Sequence, residues 1–417
     1  MTLNMLPLNW LIRFMEHSLL TKWLKPLWLL TFWIGILPDW CQPIAKGKLV
    51  KVASSVAVVI SACFSVFCTC SQLFETIVAA KVAINFRAII IPMFSSILAV
   101  SSCAYLLDFI YLSRKFVAFF KNWSLLDRQD NIGKYSLAYS KAAIRIFMTL
   151  NFAILISSFP AIGIAVNIFP DERFLMAFYS ICRDSLAISM ITFLEVIKMV
   201  YFVVPIMLSD IVPTFTFYHG SLIVRGLTKQ LENYSNMIAY NMAQTKVAST
   251  VNHLAHLDLE VQLKNIWSQY EVLRKLVGKA NKLFGAILLV SHSAGFFAIC
   301  SLTYAILSQV RTLELTSLAL YIFILAYCIM RVVYPILMQD RLKQSFNQLK
   351  STLTVFLSDH WLSLTDGERF IATTMLNRFQ EGSLIASPLG LYNIERSLLL
   401  SFLSLTVSYI IILLQTP

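Results

Sequence analysis

Residues 52–73 read VASSVAVVISACFSVFCTCSQL, 22 residues without a charge. A helix needs about 20 residues to cross a hydrocarbon core of about 30 Å. Working outward, the same length of apolar chain recurs at Ala88–Leu107, Ile146–Pro170, Leu283–Val310, Leu315–Met338 and Ser397–Pro417. A further span lies within Phe174–Val224, where Arg183, Asp184, Glu195, Lys198 and Asp210 interrupt the apolar run. That stretch fits one span, roughly Met190–Phe215, with Phe174–Ser189 as an outer lead-in; Pro205 and Pro213 are expected to kink it. The expectation is an all-α polytopic membrane protein with seven transmembrane helices. Composition agrees: 58% of the 417 residues are hydrophobic and 13% charged, and the mean hydropathy is +0.71. Those values exclude a disordered chain and argue against a soluble enzyme.

The N-terminal stretch is different. Only Leu27–Leu37 lies between Pro26 and Pro38, too short to span, yet five of the eight tryptophans fall in the first 40 residues. Indole prefers the headgroup layer, so residues 1–48 are expected to form a cytosolic or interfacial segment.

Charge fixes the expected orientation. Of 34 Lys and Arg, 27 fall before span one or between spans two and three, four and five, and six and seven. Five fall on the other side, and Lys198 and Arg331 lie within spans. The positive-inside rule then places the N-terminus in the cytosol and the C-terminus outside, in a plasma-membrane protein. The sequons Asn122-Trp-Ser and Asn233-Tyr-Ser fall on the cytosolic side. Six of the eight cysteines (Cys63, Cys68, Cys70, Cys103, Cys300, Cys328) lie inside spans and make no disulfide framework.

The inward loops carry amphipathic patterns. Leu254, Leu257, Val261, Leu263, Ile266, Tyr270, Leu273 and Leu276 recur at helical steps, unbroken until Gly278. Span six continues through Phe346, Leu349 and Leu353. Trp361, Phe370, Ile371, Met375, Leu376 and Phe379 form another stretch, and Gly382, Pro388 and Gly390 break the chain before span seven. The chain therefore divides into residues 1–48, a body of spans one to six over 49–338, a cytosolic anchor helix and turn over 339–390, and span seven over 391–417.

Span seven ends Ser408-Tyr409-Ile410-Ile411-Ile412-Leu413-Leu414-Gln415-Thr416. This is similar to the C-terminal signature of insect-type gustatory receptors: Thr-Tyr, five apolar residues, Gln-Phe. The Tyr-to-Gln spacing matches, while Ser408 and Thr416 depart from it. Residues 390–399, GLYNIERSLL, resemble the family's Gly-Leu-Phe-x-Leu-Asp-Arg-Ser-Leu-Leu, and Asn281-Lys-Leu-Phe-Gly285 resembles its Asn-x-x-Phe-Gly. The resemblance implies a ligand-gated, non-selective cation channel opened by a small-molecule tastant, a sugar or a bitter compound. It implies a homotetramer, or assembly with related subunits, around one pore lined by span seven. The cytosolic helical extensions would hold the subunits together, and each subunit would carry its own ligand pocket. No cofactor, metal or nucleic acid is implied.

The residues allow two roles for Gln415. An amide facing lipid is costly, so it either bonds a neighbouring helix or lines a conduction path. The resemblance adds Ile412 as an apolar constriction, with Thr416, Ser408 and Tyr409 around it. Thr416 is polar where the family's second constriction is apolar. Glu195 and Lys198 are i,i+3 neighbours; they form a self-satisfied pair or line a pocket. Phe94, Phe159, Phe193, Tyr304 and Tyr321 are the aromatic candidates for that pocket. Asp210 and Arg331, near the inner ends of spans four and six, can form a salt bridge. His292 is expected to be a satisfied core histidine.

Two rival classes are opposed. A G-protein-coupled receptor has the reverse orientation, and no Asp-Arg-Tyr follows span three and no Asn-Pro-x-x-Tyr lies in the last span. A secondary transporter of small solutes is the stronger alternative, but no internal repeat is visible and the span count is odd. His-Glu-x-x-His, Walker and Gly-x-Ser-x-Gly motifs are lacking, and Cys68-Thr-Cys70 has the wrong spacing for zinc, so an enzyme is not expected.

Overall fold

The computed structural model describes residues 48–82, 87–129, 149, 185–244, 249–309, 315–382 and 384–415. The interfacial segment and the third expected span fall outside them. The helices are α1 (Lys48–Val82), α2 (Arg87–Gln129), α3 (Ser185–Gln244), α4 (Ser249–Gln309), α5 (Leu315–His360), α6 (Asp366–Glu381) and α7 (Arg396–Gln415). No strand occurs among the described residues.

Three of these helices far exceed a bilayer. α3 has 60 residues, α4 61 and α5 46. At 1.5 Å per residue they reach roughly 70 to 90 Å, against about 30 Å of hydrocarbon. The expected loop of residues 224–282 is thus two helical extensions, and α4 passes through Gly278 without interruption. α3 runs through Pro205 and Pro213 as one helix. The position 338, taken as the end of the membrane body, lies inside α5.

By length and composition, Val58–Val78, Leu259–Ser308 and Tyr321–His360 contain helix apolar enough to cross a membrane; Ser96–Leu112 and Arg396–Ile412 are shorter apolar stretches. The apolar run of α3 is interrupted by Glu195, Lys198 and Asp210.

One stripe explains how α4 packs. Leu259, Leu263, Ile266, Tyr270, Leu273, Val277, Ala280, Phe284 and Ile287 are all buried, at alternating steps of four and three. That period keeps one seam facing its neighbours along the whole helix. The same rhythm continues through Ser291, Ala294, Ala298, Ser301 and Ala305, also buried. The side chains shrink towards the C-terminal end of α4, and small residues let backbones approach closely. At Gly295 an added Cβ would lie 2.5 Å from Val332 Cγ2 of α5.

The large residues of this seam make the main core. Phe284 sits at its centre, with ring centroids 5.5 Å from Phe116, 5.8 Å from Phe119 and 6.4 Å from Phe217. Tyr270 packs 4.5 Å from Phe379 of α6 and 6.0 Å from Phe346 of α5. Trp123 is fully buried and donates Nε1–H to His219 Nδ1 at 2.7 Å.

Three positions of the amphipathic pattern turn out differently. Val261 is 57% exposed because the buried face runs through Leu259 and Leu263 on either side of it. Phe370 is 73% exposed because Ile371, Met375 and Phe379, four residues apart, make the packed face of α6. Trp361 lies in the turn before α6, with Arg369 over its ring at 5.4 Å. That turn ends in a capping box: Thr365 Oγ1 accepts from the Glu368 N–H, and Glu368 accepts from the Thr365 N–H at 2.7 Å.

Candidate functional site

α7 leaves one side uncovered by its own chain. Its packed side is carried by Leu398, Leu399 and Phe402, which lie against the main core. Phe402 stacks on Phe296 of α4 with centroids 6.0 Å apart. On the opposite side Ser397, Ser401, Ser404, Ser408 and Gln415 are all exposed. Their spacing of four, three, four and seven residues sets them in one line along the helix. Leu400, Leu403, Val407 and Ile411 flank the line on one side, Leu405 and Ile412 on the other, all exposed. So α7 has an apolar body with one polar seam facing away from its own subunit.

Of the residues singled out in the sequence, Gln415 and Ser408 fall on that seam, and Ile412 borders it at 60% exposure. Tyr409 is half-buried on the packed side. Thr416 lies outside the described residues. Ser408 Oγ donates to the Ser404 carbonyl at 3.0 Å, and Ser401 Oγ to that of Ser397 at 3.3 Å. Each hydroxyl oxygen keeps lone pairs that point outward.

The base of α7 is latched to α4 and α5. Asn281 Nδ2 donates to the Ile385 carbonyl, and the Ser387 N–H donates to Asn281 Oδ1, both at 2.9 Å. Four residues on, Gly285 lies under Leu389, where a Cβ would stand 2.7 Å from the Leu389 nitrogen. Leu389 has φ 53° and Gly390 φ 76°, so the chain turns sharply at this contact. His292 Nδ1 and Tyr392 Oη share a hydrogen bond of 2.7 Å. Glu395 pairs with Lys343 at 2.7 Å and Arg396 with Asp340 at 3.0 Å. Of the three motifs that carried the resemblance, 281–285 therefore packs on residues 385–389, directly before 390–399. Sequence reading used them as signatures only. It passed over Asp340 and Lys343 because both read as ordinary solvated charges on an inward loop.

A second polar cluster lies deeper. Arg331 Nε donates to Asp210 Oδ2, the salt bridge the sequence allowed. Ser291 Oγ and Ser209 Oγ both donate to Asp210 Oδ1. Both charged residues are buried. His292, next to Ser291, is also buried, and its Nε2 has no hydrogen-bond partner among the described residues. It is thus a core histidine satisfied at one nitrogen.

The aromatic pocket candidates do not converge on one described cluster. Tyr304 is buried with Ala305. Tyr321 is half-buried in a separate group against Ala298, Leu302 and Cys328. Phe94 lies on α2, and Phe193, Glu195 and Lys198 on α3, with side chains outside the described set; Phe159 lies outside it entirely. Among the described residues no group of His, Cys, Asp and Glu has the arrangement of a metal site. Cys63, Cys68, Cys70, Cys103, Cys300 and Cys328 are free thiols.

Helices far longer than a bilayer, a polar-seamed terminal helix and a latch at its base accompany apolar runs long enough to cross a membrane. The 7tm chemosensory receptor family model matches residues 24–416. The chain belongs to that family of insect-type chemosensory receptors, which are not enzymes. The fold is similar to that of the insect olfactory receptor OR5 from Machilis hrabei. The TM-score is 0.61 at 16% identity, over 95% of this chain and 98% of that one. The same receptor in complex with eugenol gives a TM-score of 0.64 at 16% identity, over 95% and 99%. No curated protein matches.

Proposed function

We propose that this receptor is a ligand-gated, non-selective cation channel, a homotetramer whose single pore is lined by α7. The observation that carries the reading is the seam Ser397–Ser401–Ser404–Ser408–Gln415 on an otherwise apolar helix. Four such helices around an axis would face their seams to water and their leucine flanks to one another. Hydroxyl and amide oxygens offer lone pairs to a cation, and no acid lies on α7 to form a carboxylate ring. Ile412, beside the seam, supplies the apolar constriction that closes by dewetting. The membrane is the plasma membrane, with the N-terminus cytosolic and the C-terminus outside. The ligand is a small-molecule tastant, a sugar or a bitter plant compound, held by the bundle above the Asp210–Arg331 pair; eugenol in the olfactory receptor shows that this fold accepts a small aromatic molecule.

The test is expression of the chain alone, with whole-cell current recorded against a panel of sugars and plant compounds. Ligand-evoked current that survives G-protein blockade is the expected result. Saturable exchange flux without unitary conductance would instead favour a transporter.

A further inference from the structure

A cleft of about 280 Å³ opens between α4 and the linker to α7. Arg274, Lys275 and Gly278 form one wall, and Gly382, Leu384 and Ile385 the other. Neither Gly278 nor Gly382 has an atom within 4 Å of where a Cβ would stand, so the mouth is open. Lys275 lines the cleft, and Lys279 and Lys282 follow it along the same face of α4 outside the lining; all three lysines are exposed. None of the three has an ion-pair partner among the described residues. The nearby acid, Glu271, is already shared between Arg274 at 3.1 Å and Arg378 at 3.6 Å. Lys275 thus brings an unpaired positive charge to the cleft, with Lys279 and Lys282 beside it.

Its level in the membrane is set by the sequence. The apolar run of α4 begins at Leu283. Lys282 is the residue before it, and Lys275 lies about 10 Å further in at 1.5 Å per residue. The headgroup layers add roughly 5 to 8 Å on each face of the hydrocarbon. The lysine row therefore spans the inner headgroup layer and the water just beneath it. Basic clusters immediately cytosolic of a span attract anionic headgroups. A phosphomonoester, with nearly two negative charges at neutral pH, matches several unpaired cations better than a single-charge headgroup does. The volume is close to the lower end of small-molecule pockets, about 300 Å³, enough for one phosphorylated sugar ring.

We propose that this cleft is a binding site for the phosphorylated inositol headgroup of an inner-leaflet lipid. Lys275 holds a phosphate within the cleft, Lys279 and Lys282 reach the phosphates from beside it, and the ring rests against Ile385. Asn281 ties the linker to α4 at Ile385 and Ser387, so a headgroup seated here braces the segment that leads into α7. The proposal rests on the inward orientation proposed above, but its test does not depend on ion conduction.

The experiment uses the purified full chain in phosphatidylcholine nanodiscs. The probe is fluorescent short-chain phosphatidylinositol 4,5-bisphosphate, read by anisotropy. Saturable binding at least about tenfold tighter than that of labelled phosphatidylserine is expected. The triple variant Lys275→Gln, Lys279→Gln, Lys282→Gln should weaken it by about tenfold or more, and the matching Lys→Arg triple should keep it. Gly278→Phe fills the cleft without touching a charge and should abolish saturable binding while the chain elutes as a folded particle. Binding equal to that of phosphatidylserine, or unchanged in Gly278→Phe, would overturn the site. Displacement of the probe by free inositol trisphosphate at concentrations as low as those of the lipid would overturn the lipid source. A non-conducting chain that still binds would separate this site from the channel reading.

Discussion

Asp210 has two carboxylate oxygens and three donors around them, from Arg331, Ser291 and Ser209. Two charges buried together satisfy each other; one left alone does not. Asp210→Asn or Arg331→Met should each cost about 3 to 5 kcal/mol, read as lost thermal stability of the purified chain. Asp210→Leu combined with Arg331→Met should recover most of that loss. The pair was legible because an ionisable residue inside a span demands a partner. The Asp340–Arg396 pair was not, because nothing in the sequence sets a charge on the inward extension of α5 against the first residue of α7. On the seam, Gln415→Ala should change conductance or ion selectivity more than ligand half-saturation. Single-channel recording with unchanged permeation would remove Gln415 from the pore.

At the scale of the element, three glycines of α4 make different demands. Gly278 has open space where a Cβ would go, so Gly278→Ala should stabilise the helix by about 0.5 to 1 kcal/mol. Gly285→Ala would drive a Cβ to 2.7 Å from the Leu389 nitrogen, so the linker must lift and the latch weaken. The expected outcome is a shifted half-saturation with permeation unchanged. At Gly295 the obstacle is the Val332 side chain instead. Helical spacing revealed which residues of α4 and α6 are buried to within one position, which is why Val261 and Phe370 were misplaced. A step of three or four admits two neighbouring faces, and only the packed partner decides between them. The core around Tyr270 also has a pH signature. Burial raises the Tyr270 hydroxyl to about 12 from an ordinary 10. The unfolded chain then loses this proton first. Stability should be flat below pH 10 and fall between 10 and about 12. Tyr270→Phe should flatten part of that fall in a denaturation series.

For the whole molecule, apolar run length made the all-helical fold legible, and three of the expected spans recur as long apolar helix among the described residues, within Val58–Val78, Leu259–Ser308 and Tyr321–His360. The continuity of α3, α4 and α5 past the membrane was only half visible, because an amphipathic pattern shows that helix continues but not that no turn intervenes. Epitope tags should report the N-terminus inside and the C-terminus outside in intact cells; a C-terminal tag reached only after permeabilisation would reverse the orientation. The latch joins chain segments a hundred residues apart: Asn281 with Ser387, Gly285 with Leu389 and His292 with Tyr392. This limits how receptors of this kind can be recombined. A chimera that takes residues 384–415 from a relative inherits only half of each contact. Such a hybrid should reach the cell surface poorly unless residues 281–295 travel with the donated segment, making the two stretches a single heritable module.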